Sequence, residues 1–190
     1  MKHKIKDFTK EFRNGMFLAP SRTYGETYME PIIRKIRGLS KSNTGENDAV
    51  NDNGKPEEIK CSKVLLTKPK TNSLLERIIL ESENNVLTRL IPFANCLTST
   101  YDSNIQNVKR DHFSKLVYVM LFEDCIKIFE SDKEDISKIP NWSGKHGRYD
   151  EFGKSGQFCI KKNNIKWHLE NNLVVTLTWD EVYEMAKEIS

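Results

Sequence analysis

The dipeptide Asn53-Gly54, lying between Asp48 and Glu58, constrains this chain more than any other feature. A two-residue Asn-Gly loop is the strongest short-range hairpin signal, because a type I′ turn needs positive φ at both central positions. The sequence therefore predicts two antiparallel strands flanking residues 53 and 54. Along the second strand, alternation puts Glu58 and Lys60 on one face and turns Ile59 and Cys61 inward. Asp48, on the first strand, folds back to about their level. Two carboxylates and an ammonium then converge.

That combination is hydrolytic. Mg²⁺ is held through one or two carboxylates and keeps its other positions for water and phosphate oxygens. Asp48, Glu58 and the Ile59 carbonyl are the candidate ligands. Lys60 is positioned to orient or deprotonate the attacking water, or to balance charge in the transition state. The bland alternative is a solvated hairpin. In a chain that is 30% charged, such an Asp followed by Glu-x-Lys arises by chance in about one sequence in three. Against it, Lys60 is set among Ile59, Val64, Leu65 and Leu66, and a lysine on such a strand needs a partner or a function.

The run Asn47-Asp48-Ala49-Val50, the glycine at 54 and Glu58-Ile59-Lys60 together resemble the active-site hairpin of the PvuII-like type II restriction endonucleases, in the PD-(D/E)xK superfamily. The spacing from Asp48 to Glu58 to Lys60 agrees without a gap. Upstream, a helical segment from Gly25 to Leu39 stands at nearly the family's distance. Downstream, after an insertion of about thirty residues, the segment from Leu97 is similar to the family's recognition segment, and residues 116–130 to its next strand pair. The closest similarity covers residues 25–66. Glu46 and Glu30 are the candidates for a further acidic group near the metal. A His-rich base-reading stretch of the family is replaced here by Tyr101-Asp102-Ser103-Asn104, which implies the same chemistry with a different target. The resemblance implies a PD-(D/E)xK restriction-endonuclease-like fold, Mg²⁺-dependent hydrolysis of double-stranded DNA to 5′-phosphate and 3′-hydroxyl ends, and a homodimer.

At 190 residues the chain predicts one domain, 1–190, and its net charge of +3 permits nucleic-acid binding without demanding it. Basic groups concentrate at Lys109, Arg110, His112 and Lys115, and again from Lys145 to Lys166. Lys161, Lys162, Asn163 and Asn164 read as DNA contacts, lysines on phosphates and asparagines on base edges; a polar turn is the equal alternative. Cysteines 61, 96, 125 and 159 form no CxxC pair and read as thiols of a reducing compartment. With no apolar signal segment and no long apolar run, the expectation is a cytoplasmic protein with no membrane partner.

The rest of the pattern predicts an α/β domain with a central mixed β-sheet flanked by helices. Residues 1–20 are amphipathic, fit for core packing or a dimerisation arm. A helix is predicted from Tyr24 to Ile36, with Pro31 in its first turn or at a bend, then a polar loop from Ser40 to Glu46. The hairpin strand continues to Leu66. Residues 68–95 form the insertion, with a helix over Ser73–Glu83 capped by Ser73. Leu116–Phe122 and Cys125–Phe129 are adjoining strands, the first apolar enough to be central. Residues 141–168 are a DNA-contacting region that opens with a long glycine-rich loop, structure resuming at Gln157. Leu173–Leu177 is a strand, and Thr178 with Glu181 makes a capping box for a last helix.

Three rivals are weaker. Gly153-Lys154-Ser155 lacks the spacing and preceding strand of a P-loop. His146 and His168 suggest a His-Asn-His nuclease without its ββα frame. A structure-specific repair nuclease, or a non-catalytic DNA-binding protein whose carboxylates only pair with Lys60, would use the same hairpin.

Overall fold

Seven consecutive residues, Leu116 to Phe122, are fully buried, and the fold is built around the strand that carries most of them. In the computed structural model, which describes residues 7–68, 73–83, 85–109, 111–145 and 155–189, this strand is β6 (Lys115–Leu121). Alternation sends Leu116, Tyr118 and Met120 into one apolar cluster and Val117, Val119 and Leu121 into another. A strand buried on both faces reads as a continuous apolar run, as the sequence shows.

Six strands form the main sheet: β1 (Ser40–Lys41), β2 (Ala49–Val50), β3 (Pro56–Lys63), β6, β7 (Cys125–Asp132) and β9 (Leu173–Thr178), in the order β1-β2-β3-β6-β7-β9. The β3–β6 pair is parallel and the other pairs are antiparallel, so the sheet is mixed. β1 falls inside the expected 40–46 loop; two residues pairing with β2 carry no sequence signal. One face of the sheet is covered by α1 (Phe8–Leu18), α2 (Glu30–Arg37) and α5 (Trp179–Lys187). α1 docks through Phe17, which is buried, and through Phe12, whose ring meets Trp179 and Tyr183 edge-on. This packing uses part of the face considered as a dimerisation arm; residues 1–6 lie outside the described residues. The capping box of α5 forms as expected.

The other face meets a second, antiparallel sheet of β4 (Leu65–Leu66), β5 (Tyr101–Lys109) and β8 (Ser155–Ile160). The expected strand through Leu66 breaks at the buried Val64, where the chain leaves the main sheet for the second one. α3 (Leu74–Glu83) belongs to the expected insertion, and Ser73 Oγ accepts the Glu76 N–H at its start. A short α4 (Ile165–Asn171) follows β8. The helix expected from Tyr24 is π-helical over Thr23–Met29 and becomes α2 at Glu30, with Pro31 in its first turn. Gly38, at φ 64°, ends α2 with a left-handed cap. Among the described residues no helix is long and apolar enough to cross a membrane.

Candidate active site

The hairpin forms, but around a different turn. Gly54 N–H donates to Asn51 O (2.8 Å) and Asn51 N–H to Lys55 O (3.0 Å), enclosing a three-residue loop, Asp52-Asn53-Gly54. Gly54 takes the left-handed conformation (φ 72°) and Asn53 does not, which is a type I turn closed by a glycine bulge rather than type I′. Asn51 Oδ1 stabilises it by accepting from the backbone N–H of Asn53 (3.0 Å) and Lys55 (3.1 Å).

The extra loop residue matters for the chemistry. It sets the register Ala49 to Glu57 and Val50 to Pro56, which extended by one pair puts Asp48 level with Glu58. The two-residue loop expected from the sequence would have set Asp48 opposite Ile59. Since cross-strand partners share a face, a one-residue slip would have sent Asp48 to the other side of the sheet.

β2 ends where Asp48 begins, so beyond Glu57 that edge of β3 has no strand partner among the described residues. Its backbone groups are taken by side chains instead. Asp48 Oδ2 accepts the Ile59 N–H (2.8 Å), and Tyr24, from the π-helical segment, donates its hydroxyl to Cys61 O (3.0 Å). Lys60 Nζ gathers the rest: Glu58 Oε1 at 2.6 Å, Asp48 Oδ2 at 3.1 Å and Ile59 O at 3.2 Å. The three groups expected to hold a cation thus surround the ammonium of the fourth expected residue.

Glu58 is fully buried, and among the described residues neither of its oxygens has a hydrogen-bond partner, Oε1 being met by the Lys60 ion pair and Oε2 by nothing. Burial raises its carboxyl above the usual range and Asp48 adds to this, while Lys60 holds it down. For Lys60, burial works against the charge, but Glu58 and Asp48 outweigh it and raise its pKa. Glu30 completes the group from α2. Burial and then the charge of Asp48 push its carboxyl up to about 7, opposed by Lys60 and by Arg34, which lies 3.6 Å away. Asp48 and Glu58 therefore share the Lys60 ammonium, with Glu30 paired to Arg34 beside them.

Among the described residues no three His, Cys, Asp or Glu side chains assemble as a metal-ligand group. The donor chemistry nevertheless fits Mg²⁺, which needs only one or two carboxylates beside waters. The orphaned Glu58 Oε2 is a buried oxygen in need of a positive partner.

Glu30, Ile59 and Lys60 line one side of a cleft of about 660 Å³, and β5 lines the other through Asp102, Asn104 and Gln106. β5 sorts the expected DNA-contacting residues by parity. Tyr101 and Ser103 point into the protein, each 1% exposed, while Asp102 and Asn104 face outward. Side chains buried at Tyr101 and Ser103 do not reach a ligand in the cleft, which corrects that part of the expectation. Gln106 and Asn107 reach the cleft and escaped the sequence reading. Strict alternation from Tyr101 to Gln106 was the available signal.

The remaining expected contacts lie further out. Glu46 stands apart, its carboxylate 3.6 Å from His112 and its carbonyl accepting from Lys109 Nζ (2.8 Å). Lys161 pairs with Asp102 (3.3 Å), and Lys162 and Asn163 are exposed in the turn before α4. Asn164 is a turn-former: buried, it accepts the Lys161 N–H (2.7 Å) and donates to Cys159 O (2.9 Å). Base contact from Asn164 is thereby excluded in this conformation. Arg110 lies outside the described residues, as do His146, Gly153 and Lys154. His168 is a core residue, fully buried and 2.9 Å from the Tyr118 hydroxyl, with burial lowering its pKa to about 4.

No protein-family profile matches the chain, and comparison with characterised proteins gives no significant match.

Proposed function

We propose that this chain is a Mg²⁺-dependent type II restriction endonuclease, hydrolysing phosphodiester bonds at a short specific sequence in double-stranded DNA. What supports it most is the convergence of Asp48 Oδ2, Glu58 Oε1 and Ile59 O on Lys60 Nζ, with a second Glu58 oxygen buried and unpartnered. A structural ion pair needs no orphaned carboxylate oxygen and no adjoining cleft. The mixed sheet flanked by helices is compatible with the PD-(D/E)xK fold that the hairpin resembles.

In this reading Asp48, Glu58 and the Ile59 carbonyl hold the ion, which when bound supplies Lewis-acid activation of water and phosphate. Lys60 exchanges its carboxylate contacts for the attacking water or a phosphate oxygen and places positive charge where negative charge accumulates. The water oxygen bonds to phosphorus and the 3′ oxygen leaves, giving 5′-phosphate and 3′-hydroxyl ends. Lys109, Lys161 and Lys162 serve phosphates outside the cleft. One site per chain and two strands to cut call for a homodimer on a palindromic site.

Incubating the protein with linear duplexes of mixed sequence in Mg²⁺ or in EDTA tests this. Discrete fragments in Mg²⁺ alone, absent for Lys60→Met, are the expected result. Activity confined to branched or nicked DNA would indicate a structure-specific nuclease instead, and no cleavage of any substrate would overturn the proposal.

A further inference from the structure

β5 pairs with β8 in regular antiparallel register except at one place. Ile105 faces Phe158 and Val108 faces Gly156, so two residues of β5, Gln106 and Asn107, stand against the single Gln157 of β8. This is a β-bulge, with the extra residue absorbed by Asn107 in the left-handed region at φ 55°. A regular strand would alternate, sending one of the two inward. Here both are exposed and both border the cleft that holds Lys60.

The bulge has a chemical outcome. It adds a second consecutive carboxamide to a face that already carries Asn104. Asn and Gln carboxamides pair donor with acceptor, the pattern that matches the adenine edge in the major groove. Asp102, by contrast, is held by Lys161 at 3.3 Å. Among the described residues, no hydrogen bond engages the side chains of these three carboxamide residues, whereas Asn51 and Asn164 use theirs in the fold's own turns. A left-handed conformation costs a non-glycine residue energy, and glycine would fill the bulge without that cost. Asparagine is among the few other residues that enter this region routinely, so the bulge can carry a carboxamide here.

We infer that the bulge pair Gln106 and Asn107 is a specificity-determining element of the cleft, reading base edges of duplex DNA whose phosphate is held at the Asp48–Lys60 hairpin. The inference rests on the proposed nuclease function and adds to it which residues select the sequence. The occupant is a duplex segment that presents adenine edges toward β5.

Asn107→Gly separates this role from a purely structural one, because glycine accepts φ 55° and removes only the carboxamide. Gln106→Ala is its companion. Both are compared with the unaltered chain on a random-sequence duplex library in Mg²⁺, with fragment ends sequenced and melting temperature recorded. The expected result is that both variants melt like the parent and still cut, but cleave the parent's site about 10- to 100-fold less well relative to sites altered at one adenine position. Unchanged sequence preference and rate in both variants would overturn the inference while leaving the nuclease reading intact. A uniform loss on all sites with a lowered melting temperature would also overturn it, by assigning the bulge a structural role. No cleavage by the parent chain would remove the nuclease reading and this inference with it.

Discussion

Lys60→Met tests the site through stability before any substrate is needed. The variant keeps the aliphatic stem and removes the ammonium that touches Glu58 Oε1, Asp48 Oδ2 and Ile59 O. Breaking a buried ion pair by deleting one partner costs about 3–5 kcal/mol where the other charge is trapped. Glu58 is fully buried but can take up a proton, and Lys60 is itself 20% exposed, so about 2 kcal/mol is the working figure near neutral pH. For a chain of this size that corresponds to a melting temperature lower by roughly 4–8 °C. The loss has a pH signature. Without Lys60 the folded Glu58 carboxyl rises further above its ordinary 4.5, so the folded state keeps a proton that the unfolded chain has released. Stability then falls as pH rises through that window, and the deficit is larger at about pH 8 than at about pH 5. Mg²⁺ has a second effect: with no ammonium competing for the same oxygens, it recovers part of the lost stability in the variant. Melting curves at the two pH values, in Mg²⁺ and in EDTA, read all three effects. A variant that melts like the parent at both pH values, or that ignores Mg²⁺, would refute the reasoning that Lys60 stands in for a cation on these oxygens.

Asp48→Asn and Glu58→Gln should each lower the Mg²⁺-dependent cleavage rate by about 10²- to 10³-fold or more, measured by gel assay on a substrate the parent cuts. Glu30→Gln should flatten the pH dependence of stability. The folded carboxyl at about 7 lies above its ordinary 4.5, so the parent loses stability as pH rises across that interval, and the variant should gain on the parent at about pH 8 but not at about pH 4.5. Gly156→Ala should destabilise by about 1–3 kcal/mol, because a Cβ there would overlap the Trp142 ring; a denaturant titration with unchanged slope would show it.

Strong local patterns were legible in the sequence. The apolar run of β6, the capping box at Thr178 and the shared face of Glu58 and Lys60 follow from residue type and spacing alone, whereas the level of Asp48 depends on the loop. What was not legible depended on register. Asn53-Gly54 signals a hairpin, but whether asparagine or only glycine turns left-handed is decided by the strands it joins, and Asn51 tips the balance with two side-chain hydrogen bonds. Residues 101–104 look like a short recognition segment by type, whereas they begin a nine-residue strand whose alternation also turns Gln106 outward. Asn163 and Asn164 are identical by type, yet one is exposed and the other buried as a turn-former. Only the packing of the Lys161–Asn164 turn beneath α4 separates them.

The two edges of β3 are held in different ways. Parallel pairing with the doubly buried β6 fixes the strand rigidly on one side, while the departure of β2 at Asp48 leaves the other side unpaired. An unpaired edge inside a protein must satisfy its backbone groups. Here Asp48 takes the Ile59 N–H, which orients that carboxylate toward Glu58 at no cost in extra structure. Under the proposed function, a phosphate would have to approach a hairpin that carries two carboxylates. Asp48 and Glu58, with Lys60 as the ammonium between them, would repel a phosphate unless further positive charge enters. A divalent cation would supply that charge and free Lys60 from its three oxygens, so under the proposed function cation and DNA would favour each other's binding. Under the proposed function, the electrostatics of the hairpin would then call for a metal as much as the chemistry of hydrolysis does.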